Sequence, residues 1–403
     1  LIYFGIGVLF LLIIGQFTKL MIFQTIDDED LVARGEDKYA VSAINEPERG
    51  EIVDREGNIL AADMEAYRIA IITDENYPNH VSNPKETAAL LAEVVDMSKE
   101  EIQKKIEENI KKGQFQMELG QAGRNISYND KKFLEESEAT GIAFEPETRR
   151  FYPNGQFASH LIGFAELNDE LGGLDGQLGF ERIYNDLLQG EPGSIDYSQD
   201  VWGYIVPDSD NVKPPVNGHD VKLTIDPNIQ LYLEDTLTDM EEHFEPEELI
   251  AVVADADTGE ILASGQRPSF NPETREGFGN SWLNMLYEYS FEPGSTFKLF
   301  GLAAAIEEGV YDPNSVYTSG SMDVMDATIY DWETSGWGDI TYNEGMQYSS
   351  NVLMMILQDK VGADKMLQYY KDFGFGETTG SEFPTEVTGQ MAWDNELQQK
   401  TTS

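Results

Sequence analysis

The segment of residues 292–298 most constrains what this chain can fold into, because it joins a tight turn to the start of an apolar helix. Its residues are Glu292, Pro293, Gly294, Ser295, Thr296, Phe297 and Lys298. Proline and glycine predict the turn, and the apolar run that continues to Ile306 predicts the helix. Side chains three residues apart share one helix face, so Lys298 can reach the hydroxyl of Ser295. The pattern indicates a serine nucleophile whose base is a lysine with a lowered pKa.

A serine at a helix start followed by a lysine is also a common surface arrangement, so a second motif is needed. Ser349, Ser350 and Asn351 lie further along the chain and precede an apolar run over residues 352–357, which predicts a buried helix. The order S-x-x-K and then S-x-N favours the catalytic interpretation. The candidate catalytic residues are therefore Ser295, Lys298, Ser349 and Asn351.

Charge and composition exclude several other classes of function. The chain of 403 residues has 27 Lys and Arg against 74 Asp and Glu, a formal net charge of -47, so we predict no nucleic-acid binding. It has no cysteine and only four histidines, which argues against disulfides, a thiol-bearing zinc site and a histidine-based triad. Phosphate-binding glycine loops and complete calcium loops are missing from the sequence, and we predict no metal and no cofactor.

Residues 1–15 are an uninterrupted apolar stretch. A helix that spans a bilayer needs roughly 20 residues, and this stretch is a little shorter. Because the apolar run is already under way at residue 1 and no small-residue cleavage site follows it, we predict a retained membrane anchor over residues 1–24 that is cut at its cytoplasmic end. A buried core helix is the alternative interpretation.

The remainder predicts a multidomain α+β protein with a boundary near residues 213–218, where turn-forming residues cluster. Residues 45–63 predict a strand, a glycine turn and a second strand. Asn83 and Pro84 predict a helix start, and Ser98 with Glu101 predicts a capping box. The helix that follows should bury one face, made by Ile102, Ile106 and Ile110.

Beyond the boundary, the sequence predicts a sheet that is covered by helices, with the nucleophile at their junction. Residues 221–225 predict a strand, and Asp226 with Pro227 predicts the start of a helix that carries Ile229, Leu233, Leu237 and Met240 on one face. Residues 249–255 and 260–266 predict a hairpin.

Several motifs in a fixed order resemble those of a known family. The first comprises Arg49, Gly50, Asp54, Arg55, Gly57, Leu60 and Ala61. The second and third comprise Arg150, Tyr152, Pro153, Gly155, His160 and Gly163, and then Gly176, Gly179, Glu181, Tyr184, Gly190 and Gly193. A fourth set comprises Thr224, Ile225, Asp226, Ile229, Gln230 and residues 268–272. Together with S-x-x-K and S-x-N, these residues resemble the class B penicillin-binding proteins of Gram-positive type, over nearly the whole chain.

This resemblance implies membrane-anchored D,D-transpeptidases that cross-link peptidoglycan. It implies an N-terminal transmembrane helix (residues 1–24), an elongated non-catalytic α+β pedestal or dimerisation domain (residues 25–215), and the first part of a transpeptidase domain, an antiparallel sheet covered by helices (residues 216–403). It also implies that most of the chain lies outside the cytoplasm and works with a lipid II-polymerising glycosyltransferase and other cell-wall synthesis proteins.

The resemblance also assigns roles to the candidate residues. Ser295 would attack the carbonyl between the two D-alanines of a stem peptide, with Lys298 as the base. Ser349 would pass the proton to the leaving amine, and Asn351 would hold the substrate amide and orient Lys298. β-Lactams would acylate the same serine.

The third catalytic motif of the family, K-[ST]-G, does not occur in the sequence, since Lys400 and Thr401 are followed by Thr402 where glycine is required. We therefore expect that the chain is truncated before this motif and that the fragment alone is inactive. A β-lactam-binding sensor, a β-lactamase of the same fold and a largely scaffolding protein remain the alternatives.

Charged residues of the pedestal motifs, namely Arg49, Asp54, Arg55 and Glu181, occur in turn-rich segments. Opposite charges of this kind tie irregular segments together. We predict a buried ion pair for at least Arg49 or Glu181, and we expect His160 to be structural.

Overall fold

The computed structural model describes residues 40–137, 139–168, 173–198, 211–280, 282–324 and 327–391, together with residues 7, 10, 14–15, 25–26 and 29–30. The predicted anchor over residues 1–24 thus lies almost entirely outside the described residues. Within these ranges, no helix has both the length and the apolar character that a bilayer crossing requires.

Strands and helices are mixed along the chain, as the α+β prediction requires. Up to residue 244, the strands are β1 (Thr25–Ile26), β2 (Glu29–Asp30), β3 (Ala40–Asn45), β4 (Ile52–Val53), β5 (Ile59–Ile72), β6 (Gln116–Glu118), β7 (Ile142–Phe151), β8 (Phe164–Asn168), β9 (Gly173–Leu178), β10 (Gly193–Ser198), β11 (Asn211–Lys213) and β12 (Val221–Lys222). The helices are α1 (Pro84–Leu91), α2 (Lys99–Lys112), α3 (Tyr128–Glu136), α4 (Ser159–Ile162), α5 (Gly179–Ile183), α6 (Asn185–Gln189) and α7 (Pro227–Phe244).

The chain continues from residue 249 in the same mixed manner. The strands are β13 (Leu249–Ala254), β14 (Ile261–Arg267), β15 (Val316–Thr318), β16 (Ser321–Val324), β17 (Ala327–Tyr330) and β18 (Asp339–Thr341). The helices are α8 (Met285–Glu288), α9 (Lys298–Glu307), α10 (Tyr342–Gln347), α11 (Asn351–Val361) and α12 (Ala363–Asp372).

The chain forms two compact units. The first unit comprises residues 1–239, 253–265 and 269–278, and the second comprises residues 240–252, 266–268 and 279–403. The division into two compact units does not test the predicted domain boundary between residues 215 and 216. This boundary stays a prediction.

A long antiparallel pair of strands organises the first unit. β5 pairs with β7 from Ala62 opposite Phe151 to Ile71 opposite Ile142. One face of this pair is covered by helices, because a sheet that carries apolar side chains must bury them against another layer. The buried residues of this core are Tyr67, Ile69, Ile71, Val81, Ala88, Leu91, Val95, Ile102, Ile106, Leu119, Ile126 and Leu134.

The predicted helix starts of the first unit are confirmed. Asn83 caps α1, and Ser98 with Glu101 forms the predicted capping box at the start of α2. The prediction for the apolar face of α2 was wrong at Ile110, which is exposed. The buried position in that turn belongs to Asn109, whose Nδ2 donates a hydrogen bond to Thr73 Oγ1 at 2.8 Å.

The predicted strand over residues 221–225 is shorter than expected. Only β12 is regular, and it pairs in parallel with β4. Residues 223–225 continue beside residues 53–55 through single backbone hydrogen bonds, from Leu223 N to Val53 O and from Arg55 N to Ile225 O. The predicted helix after Asp226 is α7, of which Leu237 is buried whereas Met240 is exposed.

A buried charge network joins distant segments of the first unit. Arg49 Nε donates to Glu181 Oε2 at 2.8 Å, and Arg150 Nε donates to Glu181 Oε1 at 2.7 Å. Arg150 also contacts Asp63 Oδ1 at 2.9 Å. The predicted burial of Arg49 and Glu181 is therefore confirmed.

The other predicted pedestal residues are placed differently. Asp54 instead accepts hydrogen bonds from Glu56 N and Asn58 N and so closes its own turn, while Arg55 lies at the surface. His160 is buried and meets the ring of Phe270 edge-on, with 4.8 Å between the ring centroids.

Helices form the core of the second unit. Its buried residues include Ala304, Ala305, Leu353, Leu357, Met366 and Tyr370, from α9, α11 and α12. The prediction of an antiparallel sheet covered by helices is met only in small part. The described strands from residue 249 onward pair two by two, as β13 with β14, β15 with β18, and β16 with β17. The apolar residues of α11 point to several sides, so this helix packs mainly against other helices.

Candidate active site

The segment that carries Ser295 forms a turn and a helix start, as predicted. Gly294 has a φ of +59°, which favours glycine, and residues Gly294–Phe297 form one 3-10 turn that leads directly into α9. In a 3-10 turn the side chains of residues i and i+3 eclipse each other, so Ser295 and Lys298 lie on one face. Ser295 is exposed, and its hydroxyl makes no hydrogen bond to any residue that the structure describes.

Lys298 connects this helix to the S-x-N motif. Its ammonium Nζ donates hydrogen bonds to the carbonyl oxygen of Ser349 at 2.6 Å, to Ser349 Oγ at 3.1 Å and to Asn351 Oδ1 at 2.7 Å. An ammonium group has three hydrogens, so these three acceptors can use all of its donors. The structure thus brings Lys298, Ser349 and Asn351 together. The hydroxyl of Ser295 makes no hydrogen bond to these three residues.

The backbone of Ser349 makes this contact possible. Ser349 lies between α10 and α11 and has a φ of +55°, in the left-handed region. Few residues other than glycine adopt this conformation. The next residue, Ser350, caps α11 by accepting a hydrogen bond from Leu353 N. The turn therefore presents both the carbonyl and the hydroxyl of Ser349 to Lys298.

Sequence reasoning missed Asp331, whose carboxylate is 1% exposed and binds residues of and next to the S-x-N motif. Its Oδ1 accepts hydrogen bonds from Ser350 Oγ at 2.8 Å and from Val352 N at 3.0 Å, and its Oδ2 accepts one from Gly320 N at 2.9 Å. Asp331 follows β17, so it ties the β16–β17 hairpin to the start of α11. Its only sequence signal was a carboxylate placed between two aromatic residues, Tyr330 and Trp332.

Burial sets the protonation of Lys298. Removal from water lowers the pKa of its amine below the ordinary value of 10.5, and the negative charge of Asp331 opposes this effect. Burial alone would raise the pKa of Asp331, but hydrogen bonds from Val352 N, Gly320 N and Ser350 Oγ lower it below its ordinary value. Asp331 is therefore ionised near neutral pH, and Lys298 loses its proton more easily than an exposed lysine.

Aromatic side chains border the S-x-N motif. Trp332 is 69% exposed, and its Nε1 donates a hydrogen bond to Tyr348 O at 2.8 Å. Trp337 stacks on the ring of Tyr348, with 4.8 Å between the centroids. Asn351 is held here as well, because its Nδ2 donates to Tyr330 O at 2.8 Å. The site therefore combines an exposed hydroxyl, a partly buried amine and a rigid amide beside an apolar surface, a combination suited to acyl transfer.

Comparison with known proteins finds two family matches along the chain. Residues 249–403 match the family described as penicillin binding protein transpeptidase domain, and residues 44–223 match the penicillin-binding protein dimerisation domain. The crystal structure of penicillin binding protein 2X from Streptococcus thermophilus is similar, with a TM-score of 0.68 and 33% identity over 90% of this chain and 56% of that chain.

Curated relatives extend over nearly the whole chain. Stage V sporulation protein D of Bacillus subtilis is 35% identical over 388 residues, which are 95% of this chain and 58% of that protein. The probable peptidoglycan D,D-transpeptidase PenA of Neisseria meningitidis is 30% identical over 395 residues, which are 94% of this chain and 63% of that protein. The chain thus spans less than two thirds of the length of these relatives.

Proposed function

The chain belongs to the class B penicillin-binding proteins, and from this we propose that it acts as a serine D,D-transpeptidase on peptidoglycan stem peptides and is acylated by β-lactams. One observation carries the proposal. The amine of Lys298 lies against Ser349 and Asn351, while Ser295 occupies the same helix face one turn earlier. The name of PenA as a probable D,D-transpeptidase supports the same activity.

The reaction begins with a proton transfer. The neutral amine of Lys298 takes the hydroxyl proton of Ser295, and the lowered pKa of this amine favours its neutral form. The oxygen of Ser295 then attacks the carbonyl between the two D-alanines. The backbone N–H of Ser295 donates a hydrogen bond to the oxyanion that forms.

The leaving amine of D-alanine then needs a proton. Ser349 Oγ lies 3.1 Å from Lys298 Nζ, so the serine hydroxyl can pass the proton on from the lysine. Release of D-alanine leaves an acyl group on Ser295, and the amine of a second stem peptide takes over that group. A β-lactam acylates the same serine through opening of its ring, so the leaving amine stays attached to the acyl group and the reaction stops at that acyl-enzyme.

Asn351 positions both the lysine and the substrate. Its Oδ1 accepts from Lys298, and one hydrogen of its Nδ2 is given to Tyr330 O. The second hydrogen meets no acceptor in the described part of the chain, so it is available to a carbonyl of the stem peptide.

The place of action follows from the substrate. Peptidoglycan is assembled outside the cytoplasm, so we place the two units there, with residues 1–24 as a single-pass membrane anchor. A lipid II-polymerising glycosyltransferase supplies the glycan strands and is the proposed partner together with other cell-wall synthesis proteins.

The decisive test is covalent labelling, by a fluorescent penicillin, of the protein completed through a K-[ST]-G motif, which the given sequence does not contain. Ser295→Ala should abolish the labelled band while the circular dichroism spectrum stays unchanged. Ser315→Ala is the matched control, since Ser315 is a serine of the same unit whose hydroxyl donates only to Asp312. Labelling of the Ser295→Ala protein at the original rate would exclude Ser295 as the nucleophile. Rapid loss of the label from the unmodified protein would instead indicate a β-lactamase.

A further inference from the structure

A buried tyrosine of the second unit lies close to the S-x-N motif. Tyr317 belongs to β15, is 8% exposed and pairs with Ile340 of β18. Its hydroxyl is buried and makes no hydrogen bond to any residue that the structure describes. A buried hydroxyl without a partner is destabilising, whereas phenylalanine would fill the same space without that penalty. The presence of a tyrosine at this position is therefore not explained by packing alone.

The helix α10 leaves room for this hydroxyl. Gly345 lies in α10, and a Cβ atom at this position would stand 2.5 Å from the hydroxyl oxygen of Tyr317 and 2.9 Å from Cε1 of its ring. Any side chain at residue 345 would therefore displace the phenol. The carbonyl oxygen of Gly345 accepts a hydrogen bond from Ser350 N at 2.8 Å. The tip of Tyr317 thus lies against the part of α10 that binds the S-x-N motif.

The hydroxyl of Ser350 can accept a hydrogen bond from Tyr317, because a serine hydroxyl has one donor and two acceptor sites. Ser350 Oγ donates to Asp331 Oδ1 at 2.8 Å and accepts from Leu353 N at 3.0 Å, so among the described residues one acceptor site is left. Burial raises the pKa of Tyr317 to about 12, and the Ser350 hydroxyl is close enough to oppose this increase. Near neutral pH, Tyr317 therefore keeps the proton that it would donate.

The ring of Tyr317 is held in place by its neighbours. Tyr342 is 4% exposed and meets this ring edge-on, with 5.9 Å between the centroids. The hydroxyl of Tyr342 in turn accepts a hydrogen bond from Lys360 Nζ at 2.9 Å. A side chain that is already ordered loses little entropy when it forms a new bond.

From this arrangement we propose that Tyr317 is a positioning residue for acylation. Its hydroxyl donates to the free acceptor site of Ser350 Oγ when substrate occupies the site, and it thereby holds the turn that presents Ser349 to Lys298. Hydrogen bonds of an active site are often long in the empty protein and shorten when substrate binds. The left-handed backbone of Ser349 needs such support, because this conformation is unfavourable for a residue with a side chain. The inference rests on the proposed transpeptidase function.

Acylation kinetics of the protein completed through a K-[ST]-G motif test the proposal. The two probes are a fluorescent penicillin and a thioester analogue of the stem peptide, in which a thiolate replaces the leaving D-alanine. In Tyr317→Phe, the rate constant at saturating penicillin should fall roughly three- to tenfold, as expected for the loss of one hydrogen bond. Acylation by the thioester should keep nearly its original rate, because a thiolate leaves without the proton that Ser349 passes to an amine.

Two further variants connect the effect to Ser350. Tyr369→Phe is the matched control and should react at the original rate, because its hydroxyl donates to Glu308, beyond the end of α9 opposite Lys298. In a Ser350→Ala protein, Tyr317→Phe should cause no additional loss, because the acceptor is already gone.

Three results would overturn the proposal. They are an unchanged penicillin rate constant in Tyr317→Phe, an equal fall with both probes, and the same loss in the Ser350→Ala protein. A defect in folding alone would belong to the first case, because it lowers the fraction of labelled protein and not the rate constant. Absence of penicillin labelling in the unmodified protein would reject the proposed function itself, and this inference with it.

Discussion

Replacing Glu181 by glutamine should destabilise the first unit far more than a single neutralised charge usually does. Glu181 is 0% exposed, and the side chains of its partners Arg49 and Arg150 are 3% and 1% exposed. Arg150 would keep Asp63. The guanidinium of Arg49 would keep only neutral acceptors, which are Asn185 Oδ1 and the carbonyl oxygens of residues 174 and 181. Its backbone N would still donate to Asp63 Oδ2 at 2.9 Å. The amide hydrogens of glutamine would also face a guanidinium group.

The expected loss follows from the burial of these charges. Removing one partner of a buried ion pair costs about 3–5 kcal/mol, because an uncompensated charge stays behind. For a unit of this size, a loss in that range lowers the melting temperature by roughly 10 °C. Glu145→Gln is the control in the same unit, since Glu145 and its partner Arg68 have side chains that are 42% and 32% exposed. An exposed pair contributes about 1 kcal/mol or less.

Two optical probes separate the units. Trp282, Trp332 and Trp337 are the three tryptophans that the structure describes, out of five in the sequence, and all three belong to the second unit, so fluorescence reports mainly on that unit. Circular dichroism reports on both. The Glu181→Gln change should shift the circular dichroism transition, leave the fluorescence transition in place and leave fluorescent penicillin labelling of the folded protein near normal. A stability change below about 1 kcal/mol, or loss of labelling without loss of stability, would refute the reasoning.

Three further predictions concern the second unit. Lys298→Arg should fail in fluorescent penicillin acylation nearly as badly as Lys298→Ala, because arginine does not deprotonate in proteins; substantial recovery by arginine would mean that only the positive charge matters. The acylation rate should rise with pH as Lys298 loses its proton and should level off below 10.5, the ordinary pKa of lysine, and a pH-independent rate would argue against this base. Asp331→Asn should move that rise to lower pH, because the charge of Asp331 raises the pKa of Lys298. The same change should slow acylation, because the new amide hydrogens would face either Gly320 N or the donors at Ser350 and Val352. An unchanged pH profile in this variant would show that the charge of Asp331 does not reach Lys298.

Local signals in the sequence predicted the local structure well. The capping box of Ser98 and Glu101, the helix start at Asn83 and the turn before Ser295 depend on residues within one turn of each other, and all are present. Burial of Arg49 and Glu181 was also predicted, because charged residues in turn-rich segments need partners, but the prediction did not say that these two residues, 132 positions apart, contact each other. The prediction that Ile110 lies on the buried face of α2 was wrong, because Asn109 takes the buried position and makes a hydrogen bond there.

Long-range contacts were beyond sequence reasoning. Asp331 lies 19 residues from the hydroxyl that it binds, and Arg275 reaches Glu166 across 109 residues. Neither spacing carries a periodicity, and a carboxylate or an arginine in a loop is usually solvated. Packing of the β16–β17 hairpin against α11 gives Asp331 its function, so this residue became visible only in the structure.

The left-handed backbone conformation of Ser349 sets thermal stability against catalysis at this position. A residue with a side chain costs about 1–2 kcal/mol in this conformation, whereas glycine adopts it freely. Replacing Ser349 by glycine would therefore raise the melting temperature and would preserve the backbone carbonyl that binds Lys298. The same change would remove the hydroxyl that lies 3.1 Å from the Lys298 amine. Laboratory evolution under heat alone would favour that exchange, and evolution under demand for cell-wall synthesis would reverse it.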